Sequence, residues 1–323
     1  MRILVVGAGA IGGYFGARLL QAGRDVTFLV RPRRAAQLSL GLSVESPVGD
    51  IQLPGPPTVT SDAVRDAFDL VVLSCKAYDL DGAIDAFAPA VGPDTAILPL
   101  LNGMRHLDVL GTRFGPDRVL GGQCVISAAL GPDGRILHLN ELQSLTFGEQ
   151  DGRRSARAAA IDDALSGARF DVTLSETIIH DMWEKWVFIA AAAGITCLMR
   201  ATIGDIVAVG GADLAHGLLD ECARIAGAAG FPPRNAAIER SRATLGMPGS
   251  PLTASMLRDV ERGARTEMDH VLGDLLRRGG TLVDHGSVLR IAHAHLAAYE
   301  TRREREARAR RADVPNNSTD PRG

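Results

Sequence analysis

The chain has 323 residues, 46% of them hydrophobic, and a formal net charge of −3. This length is too great for one small core and suits two domains, and the nearly balanced charge argues against a nucleic-acid-binding surface. The four cysteines form no CxxC pair and show no metal-ligand spacing, which favours buried thiols in a reducing, cytoplasmic compartment over a disulfide framework or a metal site.

The first hundred residues alternate between strand-like and helix-like patterns. The apolar run ILVV at 3–6 predicts a buried parallel strand, and the helical spacing after it predicts a helix that ends at Gly23. Mainly apolar segments at 25–30, 69–74 and 95–100 predict further strands, with a helix between the last two. This alternation predicts an α/β fold whose N-terminal part is a Rossmann-like, doubly wound sheet.

The pattern changes between residues 119 and 148. Strand-like runs there are separated by the turn signal PDG, so we expect antiparallel strands that extend the first sheet. From Thr177 onward the apolar residues follow helical spacing, and the predicted helices cover 177–199, 202–229, 233–245, 253–279 and 285–309. The sequence therefore predicts an all-helical C-terminal domain.

These patterns predict three parts of the chain. We place a Rossmann-type domain at 1–172, a helical domain at 173–302, and a disordered tail at 303–323. The apolar run at 186–199 is shorter than the ~18 residues that a membrane span needs, so we expect no membrane association. A homodimer formed through the helical domain is compatible with this organisation.

A glycine-rich loop follows the first strand and opens the first helix. It consists of Gly7, Ala8, Gly9, Ala10, Ile11 and Gly12. In this context the GxGxxG pattern is typical of dinucleotide binding, because the glycines permit a tight turn and the close approach of a pyrophosphate to the helix N-terminus. A glycine-rich turn that binds no ligand is the alternative.

The residue after the second strand indicates which dinucleotide binds. An acidic residue would accept a hydrogen bond from the ribose 2′-hydroxyl of NAD, whereas an arginine suits the 2′-phosphate of NADP. Arg31 stands at this point, and Arg33 and Arg34 follow it. NADP(H) is therefore the predicted cofactor, unless these arginines are only solvated loop charges.

Two polar residues follow the later strands. Lys76 comes after DLVVLSC and Asn102 after AILPLL. Ligands of open α/β sheets bind beyond the carboxyl ends of the strands, so both residues are candidates for contact with cofactor or substrate. An Asn-Gly turn without a ligand is the plainer interpretation of Asn102.

Together these motifs resemble the ketopantoate reductase family. The resemblance runs from Met1 to about Tyr299 and rests on stretches in the family's order and spacing: GAGAIG, CKAYD, LNGM, WEKW and SMLRDVERGARTEMD. It implies NADPH-dependent reduction of a 2-oxo acid to a 2-hydroxy acid. The leading reaction it implies is 2-dehydropantoate to pantoate, in pantothenate and coenzyme A biosynthesis.

The resemblance also implies catalytic and substrate-binding roles. Lys185 of WEKW would be the general acid toward the carbonyl oxygen, and Asn102 would lie near cofactor and substrate. Glu267 of RTE would help to hold the nicotinamide half, and Ser255 of SML would contact the substrate. A lysine suits this task because its ammonium stabilises negative charge on oxygen and then donates a proton. A helix-end lysine whose stem covers apolar surface is the plainer interpretation of Lys185.

The remaining roles that the resemblance implies concern the cofactor. Lys76 would contact it, and Arg31 matches the arginine that binds the 2′-phosphate. The backbone near Ala128 would approach it as well.

The chain departs from the family beside the proposed acid. Ile189 and Ala193 stand four and eight residues after Lys185, on the same helical face, where ketopantoate reductases often carry asparagine. A family member that reduces a different, more apolar 2-oxo acid or ketone is therefore a second hypothesis. A non-catalytic NADP-binding sensor is a third, since it needs the glycine loop but neither Lys185 nor Glu267.

Overall fold

A computed structural model describes residues 1–312 of the chain. These residues form two compact units, the first comprising Met1–Trp183 and the second beginning at Glu184. The strands are β1 (Arg2–Val6), β2 (Asp25–Leu29), β3 (Leu42–Glu45), β4 (Ile51–Leu53), β5 (Thr58–Val59), β6 (Phe68–Leu73), β7 (Val91–Pro99), β8 (Gly121–Leu130), β9 (Ile136–Gly148) and β10 (Asp171–Leu174).

The α-helices are spread over both units, and the second unit contains no strand among its described residues. They are α1 (Ala10–Gln21), α2 (Pro32–Leu38), α3 (Leu80–Phe87), α4 (Arg105–Phe114), α5 (Ala156–Leu165), α6 (Ile178–Met199), α7 (Ile203–Ala208), α8 (Ala212–Ala228), α9 (Asn235–Leu245), α10 (Ser255–Glu261), α11 (Asp274–Gly279) and α12 (Val288–Ala312). The α/β fold with a helical C-terminal part is therefore confirmed.

The first sheet is entirely parallel and has the strand order β5-β2-β1-β6-β7. Its central strands are continuous apolar runs, and residues 3–6 and 70–73 are buried, as expected for strands covered on both faces. From β1 the chain moves outward to β2 and later returns to place β6 on the other side of β1. This reversal creates a switch point at the carboxyl ends of β1 and β6, where doubly wound sheets bind ligands.

The prediction that residues 119–148 extend this sheet is wrong. β8 and β9 do pair in antiparallel fashion, but they belong to a second sheet with the order β10-β9-β3-β4, in which β8 is the other partner of β9. Among the described residues, an isolated parallel bridge pairs Ile97 of β7 with Val119, which precedes β8. The predicted domain boundary after residue 172 falls inside β10, which pairs with β9 in this sheet, so the first unit continues beyond it.

Helix α1 joins the two sheets, because it contacts β1 and β2 of the first and β3, β4, β8 and β9 of the second. Arg18 on this helix is 1% exposed. Its Nη2 donates to the Gly49 carbonyl at 2.8 Å and to Ser46 Oγ at 3.3 Å, and its Nε donates to the Tyr14 hydroxyl at 3.3 Å. These bonds compensate for the burial of a cation and attach the second sheet to the helix that follows the glycine loop.

Two of the helices predicted for the second unit are interrupted in the structure. The segment predicted as one helix at 202–229 is interrupted at Gly210, which has a φ of 82°, and Thr202 caps α7 through a capping box with Asp205. The segment 253–279 contains α10, an irregular stretch, a π-turn at Asp269–Gly273 and then α11. Helical periodicity persists across such interruptions, so the apolar pattern alone did not reveal them.

Helix α6 is long and apolar enough to cross a membrane by length and composition, yet 67% of its most apolar window is buried inside the protein. This burial is that of a core helix.

The prediction of disorder from residue 303 is wrong for residues 303–312, which are helical. Helix α12 continues to Ala312, because the basic segment alternates with glutamate at helical spacing. Arg302 lies 3.8 Å from Glu306, and Arg308 lies 3.8 Å from Glu304, each four residues apart. The rest of the predicted tail, 313–323, lies outside the described residues.

Candidate active site

The glycine loop connects β1 to α1 with little room for side chains. Gly7 has a φ of 94°, a conformation that favours glycine, and its N–H donates to the Leu29 carbonyl at 3.0 Å. A Cβ atom on Gly12 would lie 2.0 Å from Ser74 Oγ and 2.2 Å from the Gly7 carbonyl oxygen. A Cβ atom on Gly9 would meet nothing within 4 Å. The loop therefore presents bare backbone to open space, and this cradle fits the pyrophosphate of a dinucleotide.

Arg34 supports the loop. Its Nε donates to the Ala8 carbonyl at 3.0 Å, and its Nη1 donates to the Gly134 carbonyl at 3.1 Å. Desolvation lowers the pKa of this guanidinium. Arg34 is thus a structural contact of the loop, and the interpretation of all three arginines as solvated loop charges does not apply to it.

Arg31 and Arg33 are exposed. Arg31 precedes α2 as its N-cap residue, and its Nη2 lies 3.0 Å from Asp79 Oδ1. A carboxylate therefore stands beside the arginine that the sequence analysis assigns to a 2′-phosphate.

Four predicted site residues come after strands that end at the same edge of the first sheet. Gly7 follows β1, Arg31 follows β2 and Lys76 follows β6, while Asn102 follows β7. Because these strands are parallel and adjacent, their carboxyl ends meet at one edge. The structure brings the loop and the rim residues together there, which is the arrangement that binds ligands in such sheets.

Ala128 and Ser255 lie in other elements. Ala128 is half-buried in β8, opposite His138 of β9. Ser255 is the exposed first residue of α10. Their contacts with cofactor and substrate stay predictions.

Lys185 lies in the first half of α6 and is half-buried. One turn later Ile189 is half-buried as well, while Ala193 is 3% exposed. The adjacent Glu184 accepts hydrogen bonds from the Nε and the backbone N–H of Arg234, both at 2.8 Å. The lysine therefore stands beside apolar side chains on its own helical face, and an ammonium with partial access to solvent in this setting can donate a proton.

Glu267 is half-buried and lies just before the π-turn. Its carbonyl accepts hydrogen bonds from the N–H groups of His270 at 3.0 Å and Val271 at 2.9 Å. The preceding Thr266 donates its N–H and its hydroxyl to Glu300 Oε1 at 2.6 and 2.7 Å. The backbone that carries Glu267 is thus held on both sides, which limits where its carboxylate can reach.

A hydrogen bond that no sequence motif indicates joins the lysine helix α6 to the π-turn. Trp186, next to Lys185, is fully buried, and its Nε1 donates to the Val271 carbonyl at 2.8 Å. The Arg278 guanidinium lies 5.8 Å from the centroid of the same ring. A π-turn is a rare irregularity found frequently at functional sites, and this one anchors α6 to the segment that begins with Glu267.

We expect Trp186→Phe to lower the free energy of unfolding of the second unit by about 1–3 kcal/mol, because the Val271 carbonyl would lose a buried donor while the aromatic packing remains. Urea unfolding followed by circular dichroism measures this change. A variant as stable as the parent would show that the indole N–H contributes nothing to the fold.

The lysine content of the sequence also points to the site. Lys76 and Lys185 are the only lysines in the sequence, which has 35 basic residues of the Lys and Arg types. Arginine does not lose its proton in proteins, whereas lysine can act in proton transfer and forms a compact point charge. Lysine thus occurs only at two candidate site positions, in a chain that otherwise uses arginine.

The chain is similar to known proteins along nearly its whole length. The family model described as ketopantoate reductase PanE/ApbA matches residues 3–152, and its C-terminal counterpart matches residues 177–300. An uncharacterised oxidoreductase of Bacillus subtilis, YkpB, is 39% identical over 302 residues, which cover 93% of this chain and 99% of that protein.

Solved structures show the same likeness. The crystal structure of 2-dehydropantoate 2-reductase from Geobacter metallireducens has a TM-score of 0.83 at 26% identity and covers 92% of this chain and 99% of its own. The ternary structure of D-mandelate dehydrogenase with NADH and anilino(oxo)acetate has a TM-score of 0.82 at 22% identity, with 94% and 100% covered. At that identity the second likeness shows the fold alone.

Proposed function

The chain belongs to the ketopantoate reductase family, and from this membership we propose that it reduces a 2-oxo acid to a 2-hydroxy acid with NADPH. The matching family model is that of ketopantoate reductases, and the fold is shared with a D-mandelate dehydrogenase whose structure contains NADH. The leading substrate is 2-dehydropantoate, which would place the enzyme in pantothenate and coenzyme A biosynthesis. The proposal rests on the glycine loop, whose backbone at Gly9 faces open space, and on the two lysines of the sequence, Lys76 and Lys185, which both stand at candidate site positions.

The first unit would hold the dinucleotide. The backbone of the glycine loop and the N-terminus of α1 would bind the pyrophosphate, Arg31 would bind the 2′-phosphate, and Lys76 would contact the cofactor at the rim. When bound, the reduced nicotinamide supplies a hydride to the keto carbon. The amide of Asn102 would donate to and accept from polar groups of cofactor and substrate.

The second unit would supply the acid. As the carbonyl oxygen gains negative charge, the Lys185 ammonium would stabilise that charge and then give its proton to the oxygen. Glu267, on a backbone held by Glu300 and by the π-turn, would help to orient the nicotinamide half. Ser255 would contact the substrate.

Steady-state oxidation of NADPH with a panel of 2-oxo acids tests the proposal. The panel contains 2-dehydropantoate, branched aliphatic acids and phenylglyoxylate. Turnover of 2-dehydropantoate with the highest kcat/KM supports the leading reaction. Dinucleotide binding without turnover of any 2-oxo acid would contradict it and favour the NADP-binding sensor.

Ile189 favours a second candidate, reduction of a more apolar 2-oxo acid. It is partly exposed one turn beyond Lys185, and it offers no hydrogen bond to a polar substrate. An apolar wall rejects hydroxylated substrates weakly, whereas a hydrogen-bonding wall rejects analogues that lack the hydroxyl strongly. This candidate keeps the same chemistry and changes the preferred substrate.

We expect Ile189→Asn to shift the ratio of kcat/KM for 2-dehydropantoate over kcat/KM for a branched aliphatic 2-oxo acid by about tenfold or more toward 2-dehydropantoate. Ile189→Leu is the matched control, because it keeps the apolar wall and should leave the ratio unchanged. Equal ratios in both variants would show that residue 189 does not face the substrate.

The proposal includes a cytoplasmic homodimer associated through the helical unit, acting on a small molecule and on neither nucleic acid nor membrane. Four reduced cysteines, with Cys124, Cys197 and Cys222 buried, support a reducing compartment, and burial raises the pKa of the Cys197 thiol to about 12. Light scattering after gel filtration tests the assembly, for which a mass of twice 34.1 kDa is expected.

A further inference from the structure

The ion pair between Arg31 and Asp79 bears on cofactor choice. Arg31 follows β2, and Asp79 ends a 3₁₀ turn, Ala77–Asp79, that comes after β6. Arg31 Nη2 lies 3.0 Å from Asp79 Oδ1, with 79% and 38% of the two side chains exposed. Both residues stand at the carboxyl edge of the first sheet, each after a strand that is a neighbour of β1.

The two side chains favour different dinucleotides. An arginine after the second strand accommodates the 2′-phosphate of NADP, whereas a carboxylate at that place accepts a hydrogen bond from the 2′-hydroxyl of NAD. Asp79 comes from the turn after β6, but its carboxylate reaches the same place because it lies 3.0 Å from Arg31. A 2′-phosphate that binds Arg31 must share the guanidinium with a carboxylate of the same sign, and like charges side by side weaken binding. A 2′-hydroxyl meets no such cost and gains an acceptor.

We propose that Asp79 is a specificity residue for the cofactor: its carboxylate competes with the 2′-phosphate for Arg31 and accepts the 2′-hydroxyl of NAD(H). This inference rests on the proposed function and refines its cofactor. The Asp79 carboxylate would make the preference for NADPH over NADH smaller than Arg31 alone would give. We therefore expect the protein to bind NADH as well as NADPH.

Neither of the neighbouring arginines makes an ion pair with Asp79, which pairs with Arg31. Arg34 is committed to the Ala8 and Gly134 carbonyls. Arg33 is exposed and makes no ion pair with any described residue. The competition between Asp79 and a phosphate is therefore for Arg31.

Equilibrium binding of NADP⁺ and NAD⁺, followed by isothermal titration calorimetry at fixed ionic strength, tests the inference without any turnover. We expect Asp79→Asn to tighten NADP⁺ binding by about fivefold, the size of an exposed charge pair, and to weaken NAD⁺ binding. Asp81→Asn is the matched control, because Asp81 is an exposed aspartate at the start of α3 and its loss changes the net charge equally. Arg31→Ala should weaken NADP⁺ far more than NAD⁺ and should shrink the gain from Asp79→Asn.

The outcomes separate the two proposals. If Asp79→Asn changes the NADP⁺ to NAD⁺ affinity ratio no more than Asp81→Asn does, Asp79 does not set the preference, whatever the enzyme reduces. If the ratio shifts as expected but no 2-oxo acid is turned over, the proposed reaction fails and the specificity assignment stands. A parent protein that binds neither dinucleotide overturns both.

Discussion

Replacing Lys185 with alanine is expected to lower kcat for 2-oxo acid reduction by about a hundredfold to ten-thousandfold, the usual contribution of a positioned general acid. The loss falls on the chemical step, because the carbonyl oxygen gains charge in the transition state and the variant has neither the ammonium nor its proton. Dinucleotide affinity should stay close to that of the parent, since the glycine loop belongs to the first unit. Single-turnover NADPH oxidation gives the rate, and titration with NADP⁺ gives the affinity.

Lys185→Arg is the informative control, because it preserves the positive charge but removes the transferable proton. If charge stabilisation alone suffices, the arginine variant recovers most of the activity. If proton donation is required, it stays slow. Since the sequence contains only Lys76 and Lys185, reductive methylation with ¹³C-formaldehyde gives two lysine signals, and the signal absent from Lys185→Arg belongs to Lys185. An alanine variant with unchanged kcat would contradict the assignment.

Gly12→Ala and Gly9→Ala are both expected to weaken dinucleotide binding, but for different reasons. A Cβ on Gly12 would lie 2.0 Å from Ser74 Oγ and 2.2 Å from the Gly7 carbonyl oxygen, so the backbone of the loop must move. We expect Gly12→Ala to reduce the free energy of unfolding by about 3 kcal/mol, at the upper end for overpacking, and to abolish dinucleotide binding. Gly9→Ala should leave stability within about 0.5 kcal/mol of the parent, because its Cβ meets nothing within 4 Å.

Gly9→Ala should nevertheless weaken dinucleotide binding by about tenfold to a hundredfold, since its methyl group would occupy space that a pyrophosphate needs. Thermal unfolding with and without NADP⁺ measures both properties in one experiment. Gly82→Ala is the control, because Gly82 is helical and its Cβ would also meet open space. Normal NADP⁺ binding by Gly9→Ala would show that the loop is not the pyrophosphate site.

Much of the fold was predictable because it depends on local pattern. The strands β1, β2 and β6 are short and mainly apolar, and α6 follows its predicted range 177–199 almost residue for residue. The second sheet was not predictable in the same way. Its strands β3, β4 and β10 have only three or four residues, too few to show a period, and β9 pairs with strands far away in the chain.

The candidate site, like the fold, was predictable where it depends on local sequence and not where it depends on packing. The sequence by itself determined the glycine loop, the edge of the sheet where Lys76 and Asn102 lie, and the family to which the chain belongs, because each depends on residues that are close together or on motifs in a fixed order. Only the tertiary structure decided that Asp79 stands beside Arg31, that Arg34 supports the loop and that Trp186 anchors α6 to the π-turn. The last of these bonds joins residues 85 positions apart. Side-chain contacts of this kind depend on how elements pack, and no local period in the sequence reports them.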